Sequence, residues 1–426
     1  MITQEIHVVY QYSNKLDDLQ KVSYTGQVMK SGTKKPAERN GFLRIATAIS
    51  KRIESGEFLA GTLLPTEKQL QDEYGISRTT VRRTVTRLIE AGWAKSIPHR
   101  GVMVMGGIGP ITSSTIAFIY GITYVQRVLA SRFTELFAKH EMTLDSINGF
   151  TADQGSAPLS AAIDGDYAAA IIWNTVGFLD PELVRILASK MPVVSLVHVV
   201  PDGRIDRVGF DEFQASYEAT MHLVCQGCRR IAITGMLDML QTSHDRFSGY
   251  LKALLDSGME PQVSDFVFSQ TSGEERQDAS ALLARLNDHD HPDGLLIIND
   301  ICANVAVQAC MRASLRVPDD IKIVALGDEI DISIDGIGLT TVAYDWDAMA
   351  NATVEALLDR IKNSIRPARV NFAPHRLIVR GLCGAPPEEW TEEPDLLSGF
   401  HGNAPFPRFQ YRFSSSWTVQ QTFPRH

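Results

Sequence analysis

The sequence predicts an α/β protein with a small head of helices and a β ribbon, followed by a larger body of parallel sheets flanked by helices. Three observations predict it. Between Leu64 and Gly101 two helix starts with capping residues precede a short glycine-tipped ribbon. From Thr115 onward, apolar runs of strand length alternate with helical patterns. Charge is also divided unevenly: 38–105 holds eleven Lys/Arg against seven Asp/Glu, although the whole chain of 426 residues carries −9. A nucleic-acid partner is thereby confined to the small basic segment. A chain this long can bury two or three separate cores.

The head is read residue by residue. Phe42, Ile45, Ile49 and Ile53 form the apolar stripe of a first helix, which Gly56 and Gly61 close. Thr66 caps a second, with Gln69 three residues on completing a capping box. Gly75 supplies the left-handed residue that ends it. Ser77 caps a third helix, and Ile76 and Val81 stand at the positions of a hydrophobic staple. Val81, Val85, Leu88 and Ile89 share one face of that helix, while Arg78, Thr79, Thr80, Arg82, Arg83 and Arg87 occupy the other. Solvated basic faces are common, but a basic face after a Gly turn and before a ribbon suits a recognition helix in a major groove.

This pattern resembles the winged helix-turn-helix of the GntR family of bacterial regulators, matched by Leu64, Pro65, Glu67, Gly75, Ser77, Arg78, Thr80, Val81, Arg82, Arg100 and Gly101. The wing departs from the family in having Pro98-His99 before Arg100-Gly101. The resemblance implies that Lys68, Ser77, Arg78, Thr79, Thr80, Arg82, His99, Arg100 and Gly101 meet double-stranded operator DNA.

The body begins after a Gly-Pro-Ser linker. Strand-length apolar runs at 116–120, 168–173, 193–197, 230–234, 294–298 and 321–326 are separated by helical stretches at 127–139, 213–226, 245–257 and 275–287. Buried strands alternating with helices make parallel sheets, and such sheets bind ligands at the carboxyl ends of their strands. Those ends carry Tyr120, Asn174, His198, Asn299 with Asp300, and Gly327 with Asp328. Asn and Asp there also cap helices, but as a set they favour a polar cleft.

From Thr115 to about Gly384 the chain resembles the LacI/GalR effector-binding domain. The resemblance rests on Val208-Gly-Phe-Asp211, His222 to Ala232, Arg246-Phe-Ser-Gly249-Tyr250, Pro292-Asp-Gly294, Asn299-Asp300, Val317-Pro318 and Leu339-Thr-Thr-Val342. It implies a periplasmic-binding-protein-like body of two lobes that dimerises side by side and holds a small effector in the cleft. By the same resemblance Arg246 and Asn299 contact effector hydroxyls. Gly327 stands where the family places an Asp, which leaves open whether Asp328 or Glu329 reaches the ligand. Asp328 is assigned that role, with an ion pair to Arg246 when the cleft is empty. A GntR-type head on a LacI-type body resembles the arabinose-repressor branch and implies a sugar as effector. A body that only dimerises, with Gly327 marking a lost ligand, is the alternative.

The expected divisions are a flexible leader (1–40), the DNA-binding head (41–105), a linker (106–114), the body (115–384) and a C-terminal extension (385–426) that is either mobile or a docked strand. Five cysteines without a signal peptide, and no apolar run near ~18 residues, point to a cytoplasmic protein without a membrane span. Cys225 and Cys228 lack a second pair at zinc spacing, so helix-end residues rather than a metal site are expected. No cofactor is expected either. Lys252 and Lys322 lack the setting of a Schiff-base lysine, and no catalytic triad, carboxylate pair or phosphate loop stands out, so no enzyme is expected. A transport-type binding protein has no use for a recognition helix.

Overall fold

The computed structural model describes residues 41–391 and 408–411, apart from 55–56, 59–61, 99, 106–112, 122–123, 150–155, 174–178, 199, 201, 237–240, 270–278, 363–365 and 367. The leader, Gly56, Gly61, His99, most of the linker, Asn174 and most of the C-terminal extension therefore lie outside the described residues.

In the head, α1 (Gly41–Glu54), α2 (Glu67–Tyr74) and α3 (Arg78–Glu90) pack under a ribbon of β1 (Ala94–Ile97) and β2 (Gly101–Val104). The helix starts follow from the capping residues. Gln69 N donates to Thr66 Oγ1 at 3.3 Å, and Thr66 N donates back to Gln69 Oε1 at 2.8 Å. Gly75 ends α2 at φ 62°, where a side chain would be strained. Thr80 N donates to Ser77 Oγ at 3.2 Å and opens α3. Ile45, Ile49, Leu70, Val81, Leu88 and Trp93 are buried together. Each such side chain stabilises the head by about 1.5–3 kcal/mol relative to exposure.

The body has two lobes. Lobe 1 is a wholly parallel sheet of β3 (Thr115–Tyr120), β4 (Thr143–Asn148), β5 (Ala169–Trp173), β6 (Val193–Leu196), β7 (Asp206–Phe210) and β15 (Val370–Ala373), in the order β15-β7-β6-β5-β3-β4. Helices α4 (Tyr124–Ala138), α5 (Ala157–Asp164), α6 (Pro181–Lys190) and α11 (Trp346–Lys362) belong to it. The second lobe orders its strands β16-β14-β11-β10-β8-β9, namely β8 (Ile231–Met236), β9 (Phe266–Ser269), β10 (Gly294–Ile297), β11 (Lys322–Leu326), β14 (Thr340–Tyr344) and β16 (His375–Ile378). Only β14–β16 is antiparallel. Its helices are α7 (Glu212–Cys225), α8 (Gln241–Asp256), α9 (Ser280–Leu286) and α10 (Ala303–Arg312).

Every apolar run named from the sequence is a strand of one of these sheets. The sheets also hold strands that carry no such run. β4 has an alternating, largely polar face at a sheet edge, and β7 is only five residues long and opens on a charged pair. The chain crosses between lobes three times, at Asp211, Asp345 and Pro374. Cys225 closes α7 and is exposed, while the Cys228 thiol is buried and pushed up to about 12 by desolvation. In the extension, β17 (Arg408–Tyr411) adds a parallel strand to β12 (Asp331–Ile334), whose other neighbour is β13 (Ile337–Gly338). At the start of the extension, Trp390 Nε1 donates to the Ala385 carbonyl and the Thr391 amide to the Val379 carbonyl.

Lobe 1 is tied to α11 by charge. Asp206, fully buried at the start of β7, accepts from Arg360 Nη2 at 2.6 Å, Arg366 Nη1 at 2.8 Å and the Arg369 amide at 2.8 Å. Burial works to raise its carboxyl, but the hydrogen bonds from Arg366 and Arg360 outweigh that and hold it below its ordinary range. Removing one partner of such a cluster leaves the others charged and unpaired in a dry interior. Asp206→Ala is therefore expected to destabilise lobe 1 by about 3–5 kcal/mol, as measured by denaturant unfolding. A loss under about 1 kcal/mol would show that water reaches the cluster.

Candidate DNA interface and ligand cleft

The exposed end of α3 is the DNA-facing candidate. Ser77, Arg78, Thr79 and Arg82 are exposed there, Thr80 is half-buried, and Lys68 is exposed on α2. Arg100 and Gly101 are exposed at the ribbon tip, where Gly101 has φ 117°. Glu67 holds both Arg78 and Arg82. Arg78 Nε donates to Glu67 Oε2 at 2.8 Å and Arg82 Nε to Oε1 at 3.0 Å. The hydrogen bonds from Arg78 and then Arg82 lower the Glu67 carboxyl below its ordinary range. With arginine side chains 65% and 60% exposed, these pairs are worth only about 0–1 kcal/mol, so phosphates can take the arginines over.

Two arginines of the basic face are placed otherwise than the sequence suggested. Arg83 lies over the Phe42 ring at 4.5 Å, an attraction that fixes α1 on α3. Arg87, on the last turn, forms a loose pair with Glu90 at 3.8 Å and faces Arg366 and Arg369 of the body.

The second candidate lies between the lobes, at the carboxyl ends of the strands and beside the crossovers. Trp173 and Phe210 come from lobe 1 strands, and Tyr344 and Trp346 flank a crossover. Trp173 meets Trp346 at 5.7 Å, and Phe210 meets Tyr344 at 4.5 Å and Trp346 at 4.9 Å between ring centroids. Next to them, Glu212 Oε2 accepts from Arg246 Nε at 2.8 Å and from Tyr344 OH at 2.5 Å. Arg246 also donates to the Ile298 carbonyl. Burial disfavours its charge, yet Glu212 and Tyr344 outweigh that and raise its pKa.

Asp328 does not pair with Arg246. It accepts bidentately from Arg380 at 2.9 and 3.0 Å and from Thr341 Oγ1 at 2.7 Å. The reason is competition: Arg246 already spends Nε on Glu212, Nη1 on the Ile298 carbonyl and Nη2 on Tyr344 OH, while Arg380, on the chain after β16, takes both Asp328 oxygens. The Asn299 side chain is likewise committed, its Oδ1 accepting from the Met236 amide at 2.9 Å. Tyr120 is buried at the end of β3 and stacks on Phe118 at 4.5 Å. His198 is half-buried just beyond β6, its carbonyl accepting from Ser195 Oγ.

Reading strand ends missed Glu212, which a crossover brings in, whereas Asp300 and Glu329, both named from the sequence, stand side by side. Glu329 Oε1 accepts from Trp346 Nε1 at 2.8 Å, and the Glu329 amide donates to Asp300 Oδ2 at 2.8 Å. The carboxyl folds back over Gly327, where an added Cβ would come within 2.6 Å of Glu329 Oε2. Arg207, from lobe 1, donates to the Val197 carbonyl at 2.9 Å and faces Asp245 of the second lobe. Burial pushes Asp245 up. Among the described residues, no three His, Cys, Asp or Glu side chains form a metal site. No helix among them is long and apolar enough to cross a membrane.

Residues 43–104 match the gntR family of bacterial regulatory proteins, and residues 220–383 match the periplasmic binding protein-like domain. The chain thus joins a segment that matches the gntR regulators to one that matches the periplasmic binding protein-like domain. An arabinose metabolism transcriptional repressor of Halalkalibacterium halodurans is 22% identical over 70% of this chain and 84% of its own length. The repressor PurR of Photobacterium profundum is 24% identical over 47% of this chain, which spans 60% of that relative's length. Among solved structures, a complex of the transcriptional regulator CelR with cellobiose has a TM-score of 0.53 at 17% identity, covering 75% of this chain and all of that one. A LacI-type regulator of Alkaliphilus metalliredigens with D-xylulofuranose has 0.52 at 19%, covering 63% and 99%. At these identities the structures show the fold and no more.

The acid pair sets a pH dependence for the body. Burial, then the charge of Asp300 and its hydrogen bond, raise the Glu329 pKa well above the ordinary 4.5, while the Trp346 N–H pulls the other way. A carboxyl whose folded pKa is raised stabilises the fold fully below its unfolded pKa. That stability is lost as pH rises through the folded value. Glu329→Gln is therefore expected to match the parent near pH 4.5 and to become the more stable protein as pH rises. Thermal melts across pH check this, and parallel curves for the two proteins would refute the raised Glu329 pKa.

Proposed function

We propose that the protein is a DNA-binding transcriptional repressor that works as a homodimer and is switched by a small polar ligand in the inter-lobe cleft. The carrying observation is the exposed amino end of α3, with Ser77, Arg78, Thr79 and Arg82 free of packing on the same chain as a two-lobed cleft. The proposed division is a head over 41–105, a linker over 106–114 and an effector-binding and dimerising body over 115–384. A sugar is the proposed effector class, supported by the arabinose repressor among the relatives and by the cellobiose and xylulofuranose held by neighbours of the same fold. Tyr120, Asn174, His198, Arg246, Asn299 and Asp328 are the proposed contacts, to which the geometry adds Glu329 and Trp346. Gene regulation in the cytoplasm, without catalysis, is the corresponding role.

A second reading keeps the head but leaves the body as a dimerisation module. Arg246, Asn299 and Asp328 all bond within the protein, which is the observation that favours it. Calorimetry of the full chain against pentoses, hexoses and their phosphates separates the two.

Arg82→Ala is expected to weaken operator binding by about 1–3 kcal/mol, and binding by the parent should fall steeply with salt. The measure is a gel-shift titration on DNA from upstream of its gene. Unchanged affinity in an Arg78→Ala, Arg82→Ala double variant would end the recognition-helix assignment.

A further inference from the structure

The last turn of α3 rests on the body. A methyl group on Gly203 would come within 2.8 Å of the Glu90 carbonyl oxygen, and one on Gly92 would run into the Arg204 side chain. The body side of this contact is built in advance. Asp202 grips Arg204 with Oδ1 at 2.9 Å from Nε and Oδ2 at 2.7 Å from Nη2, and Arg204 Nη2 also reaches the Arg185 carbonyl. Both side chains are nearly buried, at 11% and 14% exposed. The Ala368 amide donates to the Gly203 carbonyl at 3.1 Å, which backs the loop with the segment leading to β15.

We infer that the 202–204 loop is a docking seat for the head, occupied by the Glu90–Gly92 turn of the same chain. It lies at the amino ends of the lobe 1 strands, the edge at which the chain enters β3, and so away from the ligand cleft at their carboxyl ends. Arg78 and Arg82, at the other end of α3, stay exposed when the turn is seated. The seat and the inter-lobe crossover stand at opposite ends of β7, which runs five residues from Asp206 to Phe210 before Glu212. A shift of the lobes about Glu212 is therefore passed to the head along a strand anchored by its own ion pairs.

One feature of the contact opposes docking. Arg87 Nε is buried and finds no hydrogen-bond partner among the described residues, and the guanidinium lies within the field of Arg366 and Arg369, which Glu90 on its own turn and Asp359 beside those arginines offset in part. Salt screens such repulsion within a Debye length of about 10 Å at 0.1 M. Docking is thus tightened by salt, the opposite of the DNA contacts.

Small-angle scattering and amide exchange on the full-length protein test the seat. Gly203 has an ordinary backbone conformation, so Gly203→Val obstructs Glu90 without straining its own loop. The variant is expected to raise the radius of gyration and to speed exchange severalfold in the turn at 90–92. Arg87→Glu, which faces Arg366 and Arg369 with the opposite charge, is expected to make the protein more compact. It also reverses the salt effect: between about 0.05 and 0.5 M the parent contracts and the variant expands. If Gly203→Val lowers the melting temperature of the body itself, the Arg87→Glu comparison decides. Parental scattering and exchange in a folded Gly203→Val protein, or the same salt response in Arg87→Glu and parent, would overturn the docking seat.

Discussion

The inter-lobe architecture depends on one buried carboxyl. Glu212 is the first residue of α7, one step past the Asp211 crossover, and is 3% exposed. It takes hydrogen bonds from Arg246 on α8 and from Tyr344 at the end of β14, next to the Asp345 crossover. Two crossovers and a helix of the second lobe are thereby joined at one point. A carboxyl in so dry a place is tolerable only with partners of good geometry, and a lobe movement that parts it from Arg246 would strand both charges. The hinge thus favours discrete arrangements in which this cluster is intact or re-paired, which is what a two-state switch requires.

The head was legible almost completely, because its determinants are local. Capping residues, a glycine with positive φ and a stripe at helical spacing act within a few residues of one another, and Thr66, Gly75 and Ser77 do what their chemistry prescribes. The central strands were legible for the same reason, since each named run is apolar on both faces, whereas the edge strand β4 and the short β7 carry no such run. What was not legible depends on partners far apart in the chain. Nothing near Asp328 announces Arg380, 52 residues on, and nothing near Arg246 announces Glu212. Arg83 and Arg87 share a face with Arg82 by periodicity, and only packing shows that one meets Phe42 and the other the body. A hint for Glu212 did exist: an acidic residue directly after a strand end, in the first turn of a helix, stands where crossovers converge.

The electrostatics of head and body differ in kind. Glu67 engages its arginines at the surface, where water and salt leave the pairs weak and exchangeable, so the clamp orders Arg78 and Arg82 at small cost to any other partner. Asp206 engages Arg360 and Arg366 in the interior, where neither partner is exchangeable. The same Arg–carboxylate chemistry therefore serves reversible recognition in one place and permanent anchorage in the other, and burial decides which.

The cleft raises a harder question, since most of its polar groups already have partners inside the protein. A ligand that made one hydrogen bond would exchange an internal partner for an external one and gain little. A ligand with several hydroxyls on a rigid ring differs, because it can satisfy a number of displaced donors and acceptors together while its apolar face covers Trp346 and Trp173. Glu329 and Asp300 are the least settled groups there. Two adjacent half-buried carboxyls disfavour a second negative charge, and one hydrogen-bond donor from a ligand would relieve that repulsion. An uncharged polyol fits these requirements better than an anion. Under the proposed function such a polyol would switch the head only by binding more tightly to the lobe arrangement in which its donors reach the acid pair, because a difference in affinity between arrangements is the only free energy a ligand supplies.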